Sequence, residues 1–288
     1  MQVQSFGAVE GVTGSCHLVE VADKRILLDC GMFQGGRSQR ERNEPPLPVD
    51  PATIDWIVVS HGHLDHIGRI PLFVKHGFRG AIVSTRGTYE IARISLMDSA
   101  SLIQDAAARR NRDRDEDEPP VQPLYTEKDV FDAIDNWNHI IEYHDSFELE
   151  PGVTMTFYDA GHILGSAAVL LELEENGRGR RLLFSGDVGN DDKPIIQDPE
   201  TPPEADLVLL ESTYGDRDHR DFEASVDELE SAVRQTIERN GNVVIPSFAV
   251  ERAQELLYVL YEAWRDGRIP KTARIFLDSP MAIAVTDV

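Results

Sequence analysis

The stretch Trp56-Ile57-Val58-Val59-Ser60-His61-Gly62-His63-Leu64-Asp65-His66 runs from a short apolar strand straight into four side chains of metal-ligand type. In extended chain His61 and His63 project to the same side, and Asp65 and His66 follow as the backbone turns toward a helix. One metal ion takes the first pair and a second ion the next. Satisfied surface histidines are the plain reading of an isolated His; a cluster at this spacing argues for metal instead.

Other strand ends carry matching chemistry. Ile26-Leu27-Leu28 leads into Asp29, Tyr158-Asp159-Ala160-Gly161 into His162, Phe184-Ser185-Gly186 into Asp187, and Leu207-Val208-Leu209-Leu210 into Glu211. Polar groups at the same end of successive strands are how open sheets build a site. His61, His63, His162 and Asp187 suffice for a first ion, while Asp65, His66 and a bridging Asp187 leave a second ion short of protein ligands. Such a centre lowers the pKa of a shared water and polarises a phosphoryl or carbonyl oxygen, so Asp65 and Asp187 are expected in catalysis as well as in binding. Asp29 is placed behind the ligands, orienting a histidine through its other ring nitrogen, with a turn Asp before Gly31 as the alternative. Glu211 either handles a proton on a leaving group or accepts backbone N–H groups.

The strand pattern covers Val3 to Ala8, His17 to Val21, Arg25 to Asp29, Trp56 to Ser60, Ala81 to Ser84, Thr154 to Asp159, Ala167 to Glu174 and Arg181 to Ser185. Gly177-Arg178-Gly179 reads as a hairpin turn. Helices are expected over Ile67 to Phe78, interrupted at Gly68 and Pro71, and over Thr88 to Ala108 and Thr126 to Asn138. From Asp221 the rhythm becomes helix Phe222 to Arg239, strand Asn242 to Pro246, helix Val250 to Trp264, strand Arg274 to Asp278, which predicts a small parallel sheet with crossover helices. The domain boundary is placed near Tyr214 to Arg220, giving units 1–214 and 215–288. Ser247, where a strand passes to the helix holding Arg252, is either a phosphate-binding residue or an ordinary helix N-cap.

Composition limits the rest. The chain of 288 residues carries 51 acidic and 28 basic residues, a net charge of -23, and its lysines are only Lys24, Lys75, Lys128, Lys193 and Lys271. Screening by concentrated salt suits so acidic a coat, so a halophilic host is expected. No apolar run reaches membrane-spanning length and no secretion signal opens the chain, so a cytoplasmic protein with no membrane partner is expected. Cys16 and Cys30 lack zinc-thiolate spacing and read as small buried residues. His17, His76, His139, His144 and His219 read as structural or surface residues.

These motifs in this order resemble those of the metallo-β-lactamase superfamily, and Glu211-Ser212-Thr213-Tyr214-Gly215-Asp216-Arg217, Ile245-Pro246-Ser247-Phe248-Ala249-Val250-Glu251-Arg252 and Leu277-Asp278-Ser279-Pro280 are similar to its beta-CASP nucleases. The resemblance implies an α/β fold, an αββα sandwich followed by the beginning of a beta-CASP parallel α/β domain. It also implies two zinc ions (Zn2+) held by His61, His63, Asp65, His66, His162 and Asp187, with phosphodiester hydrolysis of RNA. Asp29 corresponds to the first motif acid and Glu211 to the acid opening the beta-CASP part, which in the family partners a later histidine. Complete members continue further and return to the first domain with two more functional histidines. No histidine follows His219 here. The expectation is therefore a C-terminally truncated ribonuclease of RNA processing or decay whose second metal is held weakly and whose activity is impaired. A homodimer or a complementing C-terminal fragment is the expected protein partner. The competing readings are a catalytically weak fragment that binds metal and RNA, and a hydrolase of thioesters or lactones, which would not be expected to carry the beta-CASP motifs.

Overall fold

The computed structural model describes residues 1–21, 23–115, 117–175, 177–217 and 220–288. Two compact units emerge, one formed by 1–192 and 196–211 and the other by 193–195 and 212–288.

The first unit is built on two sheets. One contains β1 (Gln2–Gly7), β2 (Cys16–Val21), β3 (Lys24–Leu28), β4 (Trp56–Val58), β5 (Ala81–Ser84) and β6 (His139–Ile140), in that order. The second runs β11 (Leu207–Leu209), β10 (Arg178–Phe184), β9 (Ala167–Glu175), β8 (Val153–Asp159), β7 (Phe147–Glu150). From β3 to β6 the first sheet is parallel, as is the β10–β11 pair, and the remaining ladders are antiparallel.

Burial on both faces explains the apolar runs Ile26-Leu27-Leu28, Ile57-Val58-Val59 and Ile82-Val83 of the central strands. Val19, Ile26, Leu28, Val58 and Val83 meet Met155, Phe157, Val169, Leu171, Leu182 and Phe184 of the second sheet. Their neighbours Leu18, Leu27, Ile57, Val59 and Ile82 belong to a second core with residues of the helical layer. A strand buried on both faces has no polar side to show. The helices of the first unit are α1 (Arg37–Glu41), α2 (Leu64–Ile67), α3 (Ile70–Lys75), α4 (Arg86–Arg112) and α5 (Glu127–Asp135), and all precede β6. Ile67, Ile70, Phe73, Ala92, Leu96, Val130 and Ala133 supply their part of that core.

Several boundaries differ from expectation. The interruption near Gly68 splits the helix into α2 and α3, and α2 already begins at Leu64 inside the histidine run. Arg178 and Gly179 belong to β10, and Gly177 at φ +73° precedes them. The two-residue β6 and the short β7 were not expected. Too few residues repeat in β6 to show a period, and its pairing beside β5 creates it.

The second unit holds α6 (Phe222–Glu238), α7 (Arg252–Arg265) and α8 (Pro280–Thr286), with a small core of Val233, Leu260, Ala263 and Ile269. Among its described residues no strand forms. The segments 242–246 and 274–278 have no ladder partner, and Val244 and Phe276 are 87% and 81% exposed. Apolar β-branched character favours a strand but does not make one without a neighbour. Ser247 is exposed and lies ahead of α7 without capping it. The cap position belongs to Glu251 at φ +67°, whose carboxylate pairs with Lys193. Ser279 does cap α8, accepting from the Ala282 N–H at 3.2 Å.

Candidate metal centre

Loops at the carboxyl ends of β3, β4, β8, β10 and β11 hold the side chains in question. After β4 the chain bends at Gly62, and α2 starts with His63, itself extended, at its N-cap. Its carbonyl accepts from the His66 and Ile67 N–H groups, while its ring makes no cap bond. One helical turn then carries Asp65 and His66.

Two glycines let separate loops touch. A Cβ at Gly31 would lie 1.6 Å from the Asp65 carbonyl oxygen, and one at Gly189 would lie 1.6 Å from that of Gly161. The first contact seats the Asp29 loop against α2; the second seats the Asp187 loop against His162. The Ser166 hydroxyl accepts from the His162 and Ile163 N–H groups at 2.9 and 3.2 Å, shaping the histidine's turn. Thr85 and Thr88 at the start of α4 donate to the Gly165 carbonyl at 2.6 and 2.8 Å.

Ligand atoms of His61, His63, His162 and Asp187 all lie within 4.8 Å of one another. His63 Nδ1 is 3.1 Å from His61 Nε2 and 3.2 Å from His162 Nε2. Asp187 faces two ways. Its Oδ2 is 3.9 and 3.7 Å from the His61 and His162 Nε2 atoms, and its Oδ1 is 3.3 Å from His66 Nε2. His66 Nε2 is also 4.0 Å from Asp65 Oδ2, and His66 Nδ1 is 2.6 Å from Asp29 Oδ2.

The electrostatics separate the rings. Burial, reinforced by His66, His63 and His162, pushes His61 well below the ordinary imidazole range, so it is neutral and ready to ligate. Burial also acts downward on His66, but Asp29 and Asp187 outweigh it and hold that ring well above the usual value. Burial acts upward on Asp187, yet the His66 hydrogen bond and charge prevail and bring it to about 2. Asp65 is raised by burial, with His66 opposing. Converging imidazole nitrogens beside an ionised carboxylate are a donor set that suits a divalent transition metal, and the residues present fit one.

Glu211 is half-buried, accepting from the Val188 N–H at 3.1 Å while its own N–H donates to Ser185 Oγ at 3.0 Å. It therefore fastens the loop carrying Asp187. Arg252 is exposed at the start of α7 and paired with Glu255 at 2.7 Å. Both it and Ser247 belong to the second unit. His219 lies outside the described residues. Cys16 and Cys30 are buried free thiols.

Sequence reasoning passed over Ser15 and Ser60, and gave His17 an ordinary role. Ser15 and Ser60 hydroxyls both donate to Asp29 Oδ2, at 3.0 and 2.9 Å, and His17 stands 3.4 Å from the Ser15 hydroxyl. A serine ending an apolar strand beside His61 was the available signal.

Comparison with known proteins places the chain in a family. The metallo-beta-lactamase superfamily matches residues 9–247, and the Beta-Casp domain matches residues 253–288. Ribonuclease TTHA0252 of Thermus thermophilus is 41% identical over 98% of this chain and 59% of its own length. Endoribonuclease ysh1 of Schizosaccharomyces pombe is 31% identical over 96% of this chain and 34% of its own. For cleavage and polyadenylation specificity factor 73 of Drosophila melanogaster the values are 32%, 92% and 36%. The chain thus spans less than two thirds of the length of each of these relatives. Among solved structures, a metallo-beta-lactamase of Cronobacter sakazakii aligns with a TM-score of 0.38 at 18% identity, covering 65% of this chain and 57% of that one. The chain belongs to the metallo-beta-lactamase superfamily and carries Beta-Casp domain sequence after it.

Proposed function

We propose that this chain is the metal-bearing part of a zinc-dependent hydrolase that cleaves phosphodiester bonds in RNA. The observation that carries the reading is the gathering of His61, His63, His162 and Asp187 from three separate loops into one cluster. The substrate class comes from the relatives, which by name are a ribonuclease and an endoribonuclease.

His61, His63, His162 and Asp187 would hold one zinc ion, and Asp65, His66 and the other oxygen of Asp187 a second. The chemistry supplied by bound zinc is polarisation of a phosphoryl oxygen and acidification of water. Asp187, kept ionised by His66, is the carboxylate able to serve both positions. Asp65 lies beside it, its Oδ2 4.0 Å from His66 Nε2, and would bind the second ion as a carboxylate. Asp29 buttresses His66, and Glu211 keeps the Asp187 loop in place through Val188. Ser247 and Arg252 are proposed to contact RNA from the second unit. Two buried thiols suit a reducing, cytoplasmic compartment.

The test is zinc content per chain followed by cleavage of a labelled single-stranded RNA. His63→Ala is expected to lose both metal and turnover. Hydrolysis by that variant at the wild-type metal content would sink the proposal. One zinc with RNA binding and no cleavage would support the binding-fragment reading instead.

A further inference from the structure

Behind the cluster lies a chain of hydrogen bonds whose direction can be worked out from the number of protons available. Asp29 Oδ1 accepts from the Ser60 N–H at 2.8 Å. Its Oδ2 faces Ser60 Oγ at 2.9 Å, Ser15 Oγ at 3.0 Å and His66 Nδ1 at 2.6 Å. An ionised carboxylate only accepts, and a hydroxyl has one proton to give. The protons of Ser15 and Ser60 are both committed to Asp29.

The consequences spread outward. Ser60 Oγ also lies 3.1 Å from His61 Nδ1, and with its proton committed it can only accept there. His61 must therefore carry its proton on Nδ1, which leaves the Nε2 lone pair pointing at His63 and Asp187. His66 likewise carries a proton on Nδ1 and presents Nε2 to the cluster. Ser15 Oγ can only accept from His17 Nε2 at 3.4 Å, so His17 Nδ1 accepts from Ser5 Oγ at 2.8 Å. Ser15, Asp29, Ser60 and His61 are all buried, so water does not compete for these protons.

We infer that Ser60 and Ser15 are positioning residues of the metal centre: their hydroxyls, both spent on Asp29, fix the Nδ1 proton of His61 and of His66 and so turn the Nε2 atoms of both rings toward the metal positions. This rests on the metal reading above. Ser60 is the junction, because its hydroxyl touches His61 Nδ1 at 3.1 Å, lies 3.5 Å from His66 Nδ1 and donates to the Asp29 oxygen that His66 shares. Ser15, backed by His17 and Ser5, serves the His66 side alone.

Long-range proton–nitrogen NMR on the histidine rings, with and without zinc, tests the assignment alongside zinc affinity measured by competition with a chromophoric chelator. In the wild-type chain both His61 and His66 are expected to show a protonated Nδ1. In Ser60→Ala, the His61 ring is expected to become a tautomer mixture and zinc affinity to fall about 10- to 100-fold, the range for loss of a group supporting a ligand. In Ser15→Ala the His61 nitrogens keep their wild-type shifts while those of His66 move, and Ser15→Thr restores them. A merely structural role would disturb both rings alike and would track the melting temperature of the metal-free chain. A bare Nδ1 on His61 in the wild type, or unchanged zinc affinity in Ser60→Ala, overturns the inference. Should the wild-type chain bind no zinc, the metal reading fails by itself, and the ring shifts still decide the tautomers. If Ser60→Ala does not fold, Ser60→Cys tests the His61 side and Ser15→Ala the His66 side.

Discussion

Single atoms decide whether the centre assembles. Gly31→Ala puts a methyl group where the Asp65 carbonyl already stands, so the Asp29 loop must move away from α2. We expect a loss of several degrees in melting temperature and a failure to retain zinc on dialysis; a variant with wild-type melting and metal content would show that the approach is not required. Cys16 offers a separate test. Burial lifts its thiol from 9.0 to about 11, with Arg69 opposing. The unfolded chain then releases this proton first, so stability falls as pH rises from about 9 to about 11, by about 2 kcal/mol for this group alone. Urea midpoints across that range check the sign, with Cys16→Ser as the control. At neutral pH the buried thiol should resist iodoacetamide until the protein unfolds. The histidine run and Asp29 were legible as chemistry in the sequence. The serines were not, because a hydroxyl acquires a role only from the acceptor that folding brings to it.

At the level of elements, the site depends on how helices and loops are pinned. Thr85 caps α4 by accepting from the Thr88 N–H at 3.2 Å, and its own proton goes to Gly165 in the turn that carries His162. Thr85→Ala therefore removes a cap and a tether together, at a cost of about 1 to 2 kcal/mol. Chemical denaturation measures it, and a change of a few tenths would show that the tether is idle. The central strands β3, β4 and β5 could be read in advance because their apolar sequences are buried on both faces. The short ones could not: β6 exists through pairing with β5, and the apolar segments 242–246 and 274–278 remain unpaired despite their composition.

For the molecule as a whole, the net charge of -23 governs behaviour in solution. Self-repulsion weakens as salt screens it, so the unfolding midpoint is expected to rise from dilute buffer to molar salt. Equal stability in both would refute a halophilic origin. An acidic surface offers few phosphate contacts, so RNA affinity should depend weakly on salt, and a steep fall between dilute and physiological salt would contradict this. Exposed Tyr214, with the Arg217 guanidinium 5.9 Å from its ring centre and paired with Asp216, offers an aromatic face whose stacking on a base would be insensitive to salt. Residue types, their order and the apolar periods determined the fold class and the metal-binding chemistry, because ligand identity and strand burial are written locally. Tertiary structure alone decided which oxygen of Asp187 faces which histidine, what holds Asp29, and which apolar segments become strands. Those depend on contacts between residues distant in the chain, and a linear pattern carries no record of the partner across the gap.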